Sequence, residues 1–240
     1  MPKTHYTINC DLGEGISGEE FILPFIDVAS VACGGHFGNQ ESIRNTLALV
    51  KKFRKKAGAH PSYPDQENFG RKSLPIEPQK LIESLEDQIK LFLKVSEEEK
   101  FPIDHIKFHG ALYNDAAENV MIASLLVNFL KLEFGKIPLF VPPHSEIEKA
   151  AIKVGLPIRL EIFGDRAYTE NYKLVSRSVE NSLFNQKNQV ISHLESIMNQ
   201  GNIKLISGEF IPIHAETICF HGDNPGIVEI LPFVRDRFWN

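Results

Sequence analysis

Histidines and carboxylates gather in short glycine-containing segments of this chain: NCDLGEG (9–15), ACGGHFGNQ (32–40), GAHPSYPD (58–65), KFHGALYN (107–114), FGDRAY (163–168) and CFHGDNP (219–225). Imidazole titrates near neutral pH, so His36, His60, His109 and His221 are candidates for proton transfer or for metal ligation. Asp11 and Glu14 sit in a glycine-bracketed turn, where missing β-carbons let a ligand approach the backbone closely. Either carboxylate could act as a general base or a metal ligand, and Asp11 is equally suited to capping a turn.

In HIKFHG a two-residue period would set His105, Lys107 and His109 on one face of a strand. A buried Lys107 could polarise a substrate oxygen and His109 could shuttle protons, whereas His105, at the opening of the strand, reads as structural. Gly34 and Gly35 precede His36, and their amides could form a concavity for an anion. Cys33 beside them is either a nucleophile or an inert buried thiol. Asp223 shares an alternate-residue face with His221 and Cys219, and a carboxylate near an imidazole can orient it. Asp165 and Arg166 form a pair that either grips a substrate carboxylate through the guanidinium fork or locks its own loop. The candidate catalytic residues are therefore Asp11, His36, His60, Lys107, His109 and His221. The candidate substrate-binding set is Glu14, Gly34, Gly35, Tyr113, Asp165, Arg166 and Asp223.

The elements that must bring these segments together are legible as an alternation. Short apolar runs at 6–10, 27–32, 57–60, 104–109, 138–141, 158–163 and 217–221 read as strands, separated by segments of helical period near 40–56, 79–98, 116–134, 144–154, 188–200 and 226–237. That order predicts parallel strands with crossover helices, an α/β barrel of seven strands. The reactive segments follow strand C-termini, and in a β/α barrel the loops at those ends converge on one face. Residues 202–213 read as a hairpin turning at Ser207 and Gly208, and 169–185 as a polar, irregular insertion. No linker or repeat divides the chain, so a single domain over 1–240 is expected.

Composition restricts the partners. Twenty-six basic against thirty-one acidic side chains give a net charge of -5, which does not favour nucleic acid or an anionic membrane. No apolar run approaches the ~20 residues needed to span a bilayer and the N-terminus lacks a signal-peptide core, so a cytoplasmic protein is expected. Three cysteines without CxxC spacing suggest free thiols. No GxxxxGK[ST] phosphate loop occurs.

Taken together, NCDLGEG, ACGGHFG, GAHPSYPDQENFGR, KFHGALYN, EIFGDRAYT and CFHGDNP resemble the LamB/YcsF family, in the family's order and over essentially the whole chain. The resemblance implies a seven-stranded β/α barrel of the glycoside hydrolase/deacetylase type. It also implies the activity of the A component of bacterial 5-oxoprolinase, which opens the lactam of 5-oxo-L-proline to L-glutamate with ATP and with partner subunits B and C. Two departures stand out: GGHFGNQ replaces the family's usual GFHAGDP, removing an acid at Asn39, and Phe108 replaces the proline of KPHGALYN. A metal-dependent amide or ester hydrolase of deacetylase type is the alternative, with Asp11 and two of His36, His60, His109 and His221 around Zn²⁺ or another divalent ion. A non-enzymatic sugar- or amino-acid-binding scaffold is a third.

Overall fold

The structure is a computed structural model, and it describes residues 6–239. Seven parallel strands close into a barrel in chain order: β1 (Thr7–Leu12), β2 (Val28–Ala32), β3 (Lys56–His60), β4 (Ile103–Ile106), β5 (Leu139–Val141), β6 (Ile158–Phe163) and β9 (Thr217–Phe220), the last pairing with β1 and β6. β7 (Asn202–Lys204) and β8 (Phe210–Pro212) form a separate antiparallel pair. This is the expected hairpin, and Gly208 takes the left-handed turn conformation at φ 93°. Around the barrel run α1 (Glu19–Ile22), α2 (Gln40–Lys52), α3 (Pro78–Glu98), α4 (Gly110–Glu118), α5 (Val120–Phe134), α6 (Glu146–Val154), α7 (Lys187–Gln200) and α8 (Ile227–Trp239).

The helices dock through apolar stripes. Leu81, Leu85, Ile89 and Phe92 on α3 are buried at three- and four-residue spacing, and Leu93 packs half-buried beside them. Asn39 caps α2, accepting from the amides of Glu41 and Ser42 at 2.9 and 3.0 Å. Such a cap is worth about 1 kcal/mol. The apolar core thus lies between strands and helices, while polar side chains, Asn9, Ser30, His105 and Lys107 among them, meet inside the barrel beside Phe140 and Phe163.

Two expectations need correction. The helix anticipated at 116–134 is two helices, because Asn119 leaves helical geometry at φ -109° and ψ 112° and its side chain caps the new helix at Met121 and Ile122. The first of them begins at Gly110, directly behind His109. The fourth strand ends at Ile106 rather than 109, although Lys107 and His109 still donate their amides to Ala59 and Pro61 across the neighbouring strand. Among the described residues no helix is long and apolar enough to cross a membrane.

Candidate functional site

Lys107 lies on the barrel axis. Its side chain is fully buried, and its Nζ donates to Asp11 Oδ1 at 2.7 Å and sits 3.3 Å from Glu161 Oε2 and 3.0 Å from Cys219 Sγ. It therefore ties the segment that follows β4 to β1, β6 and β9 across the interior. Burial alone would lower the lysine's proton affinity, but Asp11, Cys219 and Glu161 outweigh it and hold the ammonium well above its ordinary range. Likewise burial would raise the Asp11 carboxyl, yet His60 and Lys107 keep it well below the usual carboxylate range. Beneath this pair, Asn9 bonds Glu161 and Thr217 at 2.8 and 2.7 Å. His105 reaches Ser30 at 2.9 Å by lying over Gly58, where a β-carbon would collide with the ring. His105 is thus structural, as its place at the strand opening suggests.

Above Lys107 the strand ends place a compact group: Glu14, His36, His60 and His109 each offer a donor atom within 4.8 Å of the others, and all four are buried. Glu14 is fixed by Glu19, whose carboxylate accepts the amides of Gly13 and Glu14 at 2.9 and 3.1 Å. His60 Nδ1 lies 2.8 Å from the Lys107 carbonyl and His109 Nε2 lies 3.0 Å from the Phe69 carbonyl. A carbonyl can only accept, so both of those nitrogens carry the proton. The other two, His60 Nε2 and His109 Nδ1, face each other at 3.0 Å as bare lone pairs when the rings are neutral. His36 Nε2 stands 3.0 Å from Glu14 Oε1 and its Nδ1 3.1 Å from Ser62 Oγ. Burial pushes the Glu14 carboxyl up, presses His36 down to about 2 and holds His109 well below its ordinary range. Facing lone pairs beside a carboxylate are what a cation relieves, so this donor set fits a divalent metal better than an empty hydrogen-bond network.

His221 approaches from β9. Its Nδ1 bonds Asp165 Oδ1 at 2.9 Å and its amide donates to the other carboxylate oxygen at 3.0 Å. Burial would raise the Asp165 carboxyl, but His221 outweighs it and holds it down. Asn224 also donates to Asp165 at 3.0 Å, which completes a rigid mount for the imidazole. Arg166 turns the other way, giving its Nε and Nη2 to the carbonyls of Ser182 and Val175 at 3.1 and 2.6 Å. It locks the 166–184 strap, and its guanidinium still lines the cavity.

These groups border one cavity of about 820 Å³ that includes Asp11, Glu14, His60, Lys107, His109, Tyr113, Arg166, His221 and Asp223 in its wall. At its mouth Asp223 takes Arg71 at 2.5 Å and Arg177 at 2.7 Å, joining the loop after β3 to the strap. Tyr113 Oη and Glu161 Oε1 are buried without any other hydrogen-bond partner, and the phenol and the carboxylate interact with each other. His36 lies behind the wall, against Glu14 and His109. Gly34 and Gly35 lie behind the wall: the Gly34 amide is committed to the Phe37 carbonyl at 2.7 Å, and a β-carbon on Gly35 would strike Ser62 Oγ. Cys33 is fully buried, and burial pushes its thiol up to about 12, which suits an inert thiol.

Sequence reasoning passed over Glu161, Arg71 and Arg177. Glu161 carried a signal, a charged residue inside an otherwise apolar strand run, IRLEIF. Arg177 carried none, because the strap has no periodicity.

Among the known proteins similar to this chain over nearly its whole length are the following three. Two carry the name of the 5-oxoprolinase A component, from Vibrio vulnificus strains YJ016 and CMCP6; each is 33% identical over 239 residues, covering 96% of both chains. The third is a solved structure of the lactam utilization protein from Thermus thermophilus, with a TM-score of 0.88, 28% identity and coverage of 97% of this chain and 96% of that one. The model of the LamB/YcsF family matches residues 6–240. On this match over nearly the whole chain, and with 33% identity to the two Vibrio proteins, the chain belongs to the LamB/YcsF family.

Proposed function

We propose that this chain is the A component of an ATP-dependent 5-oxoprolinase, acting in the cytoplasm with subunits B and C to open 5-oxo-L-proline to L-glutamate. The observation that carries this reading is the 33% identity, over 96% of both chains, to proteins named as that component of 5-oxoprolinase. The cavity supports it. Its walls combine charged, polar and apolar side chains, and its floor offers a fixed ammonium and a buried phenol to a small, oxygen-rich substrate.

Coupling to ATP has a physical reason. A five-membered lactam recloses readily because its amine and carboxyl are tethered at high effective concentration, so hydrolysis lacks the usual entropic gain. The chain has no phosphate loop, and ATP is assigned to the partners, which would activate the lactam oxygen by phosphorylation. In this scheme water adds to the ring carbon, and Lys107 and Tyr113 donate to the oxygen it delivers. The ring C–N bond breaks to leave an acyl phosphate, and a second water releases inorganic phosphate and the free carboxylate. Asp11 draws the proton from water beside the rings of His36, His60 and His109, and His221 on its Asp165 mount protonates the leaving nitrogen. Arg166 and the Arg71–Asp223–Arg177 bridge hold the substrate carboxylate. Glu14 belongs to the same wall, Gly34 and Gly35 support His36 from behind, and the single domain over 1–240 carries the whole site.

The Glu14/His cluster favours a second reading, a metal-dependent amide or ester hydrolase of deacetylase type that needs no ATP. Glutamate release from 5-oxoproline and ATP separates the two. The expected result is release with all three components together and none with this chain alone. No release from the complete mixture overturns the proposal, and ATP-free hydrolysis of a simple amide or ester by this chain alone establishes the alternative.

A further inference from the structure

We propose that Glu14 Oε1, His60 Nε2 and His109 Nδ1 form a three-ligand site for a divalent transition-metal ion, and that His36 positions the carboxylate of Glu14 without binding the ion. The inference concerns the chain alone and does not depend on which substrate the cavity takes.

The first argument is the pair of facing nitrogens. His60 Nε2 and His109 Nδ1 are 3.0 Å apart, and the carbonyls of Lys107 and Phe69 already hold the protons on the far side of each ring. Two acceptors in contact require a cation between them. A proton could serve a single contact, but Glu14 Oε1 also lies 3.4 Å from His109 Nδ1, so three donor atoms converge. Ligands at ~2.0–2.1 Å in a tetrahedron stand about 3.3 Å from each other, close to these separations. The fixed far nitrogens are the arrangement that orients imidazole ligands in metal sites.

The ring planes decide which histidine stands outside. His60 and His109 are nearly perpendicular at 89°, so their in-plane lone pairs can meet at one point. His36 and His109 are stacked, 3.7 Å between centroids and 5° between planes, so their lone pairs run parallel and cannot converge. The remaining partner of His36 Nε2 is Glu14 Oε1 at 3.0 Å, the contact of a residue that aims a carboxylate. Asp11, the carboxylate anticipated as a ligand, gives Oδ1 to Lys107 at 2.7 Å. Its Oδ2 stands 3.5 Å from His60 Nε2, beside the cavity.

Two imidazoles and one carboxylate, with an open side toward a cavity, suit zinc, cobalt, nickel, manganese or ferrous iron. They do not suit calcium, which takes six to eight oxygens. The site differs from a closed structural zinc centre in having only three protein ligands.

The test uses the full chain, stripped with chelator and titrated with Zn²⁺ and then with Co²⁺. Metal analysis after gel filtration gives the stoichiometry, the visible Co²⁺ bands report coordination, and thermal unfolding reports linkage. One ion per chain, a rise in melting temperature and Co²⁺ bands are expected. Glu14→Gln, His60→Ala and His109→Ala each lose the ion. His36→Ala still binds one ion but about 10–100-fold more weakly, as for residues that orient ligands, and His221→Ala binds as the native chain does. Circular dichroism separates loss of the ion from loss of the fold, and should the ligand variants not fold, the Co²⁺ spectrum of the native chain decides. A folded native chain that takes up no stoichiometric ion and shows no Co²⁺ bands overturns the proposal. So does binding that survives in folded His60→Ala/His109→Ala. Loss of all binding in folded His36→Ala would make His36 a ligand and overturn its positioning role.

Discussion

The Nζ of Lys107 lies 2.7 Å from Asp11 Oδ1 and 3.3 Å from Glu161 Oε2, so one ammonium neutralises carboxylates from two strands that do not neighbour its own. Removing one partner of a buried charge pair leaves the other uncompensated and costs about 3–5 kcal/mol. Lys107→Ala is therefore expected to destabilise by that amount in denaturant unfolding and to abolish turnover by the reconstituted enzyme. Lys107→Met combined with Glu161→Gln should recover part of the stability and none of the activity. Wild-type turnover in folded Lys107→Ala or His109→Ala would show that the site is misplaced.

Asp165 should act through His221 rather than on substrate. General acid–base groups contribute about 10²–10⁴ in rate, so His221→Gln is expected to lose within that range while keeping the fold. Asp165→Asn keeps the shape but removes the negative charge that faces His221 Nδ1, and should both slow turnover and shift the pH–rate profile. An unchanged profile would make Asp165 a purely structural anchor.

The mouth of the cavity should open in acid. Burial would raise the Asp223 carboxyl, but Arg177, His221 and Arg71 outweigh it and hold the group at about 2. An unfolded aspartate titrates near ~3.9, so the contribution is fully present above that pH and is lost as pH falls through the folded value. Hydrogen exchange in the 166–184 strap is expected to accelerate between about pH 4 and pH 2, the window set by these two values. In Asp223→Asn it should be fast at neutral pH and nearly flat across that window.

Gly110 has φ +58°, and a β-carbon there would stand 2.5 Å from the Gly70 carbonyl oxygen. That contact holds the α4 start against the loop carrying Phe69, whose carbonyl fixes His109. Gly110→Ala is expected to lose at least about 1–3 kcal/mol and to reduce activity. Gly155→Ala, at φ +65° in open space, should show only the backbone cost and leave activity intact. Equal losses in both would mean that the close approach at Gly70 has no consequence.

The barrel was legible because its strands are apolar runs bounded by glycine and its crossover helices are amphipathic, as in Leu81, Leu85 and Ile89. Six reactive segments could be placed at one rim for the same reason. What stayed hidden depends on distances between strands that local pattern does not encode. Asn9 looks like any strand residue until Glu161 and Thr217 meet it across the interior. The choice of Glu14 beside the histidines rests on Glu19 holding its turn, six residues beyond Gly13. The break at Asn119 was missed because the apolar period continues through it, while a cap overrides periodicity.

The polar axis of the barrel has a consequence for how this fold can change. Asn9, Ser30, His105, Lys107, Glu161 and Thr217 link strands from the inside through directional bonds, while the apolar ring outside them holds the helices. Volume-matched exchanges are tolerated in the outer ring, where packing is non-directional. Along the axis the same atoms close the barrel and present the ammonium to the cavity. A substitution that re-aims Lys107 must also reseat the strands, so shape and chemistry can shift there only together.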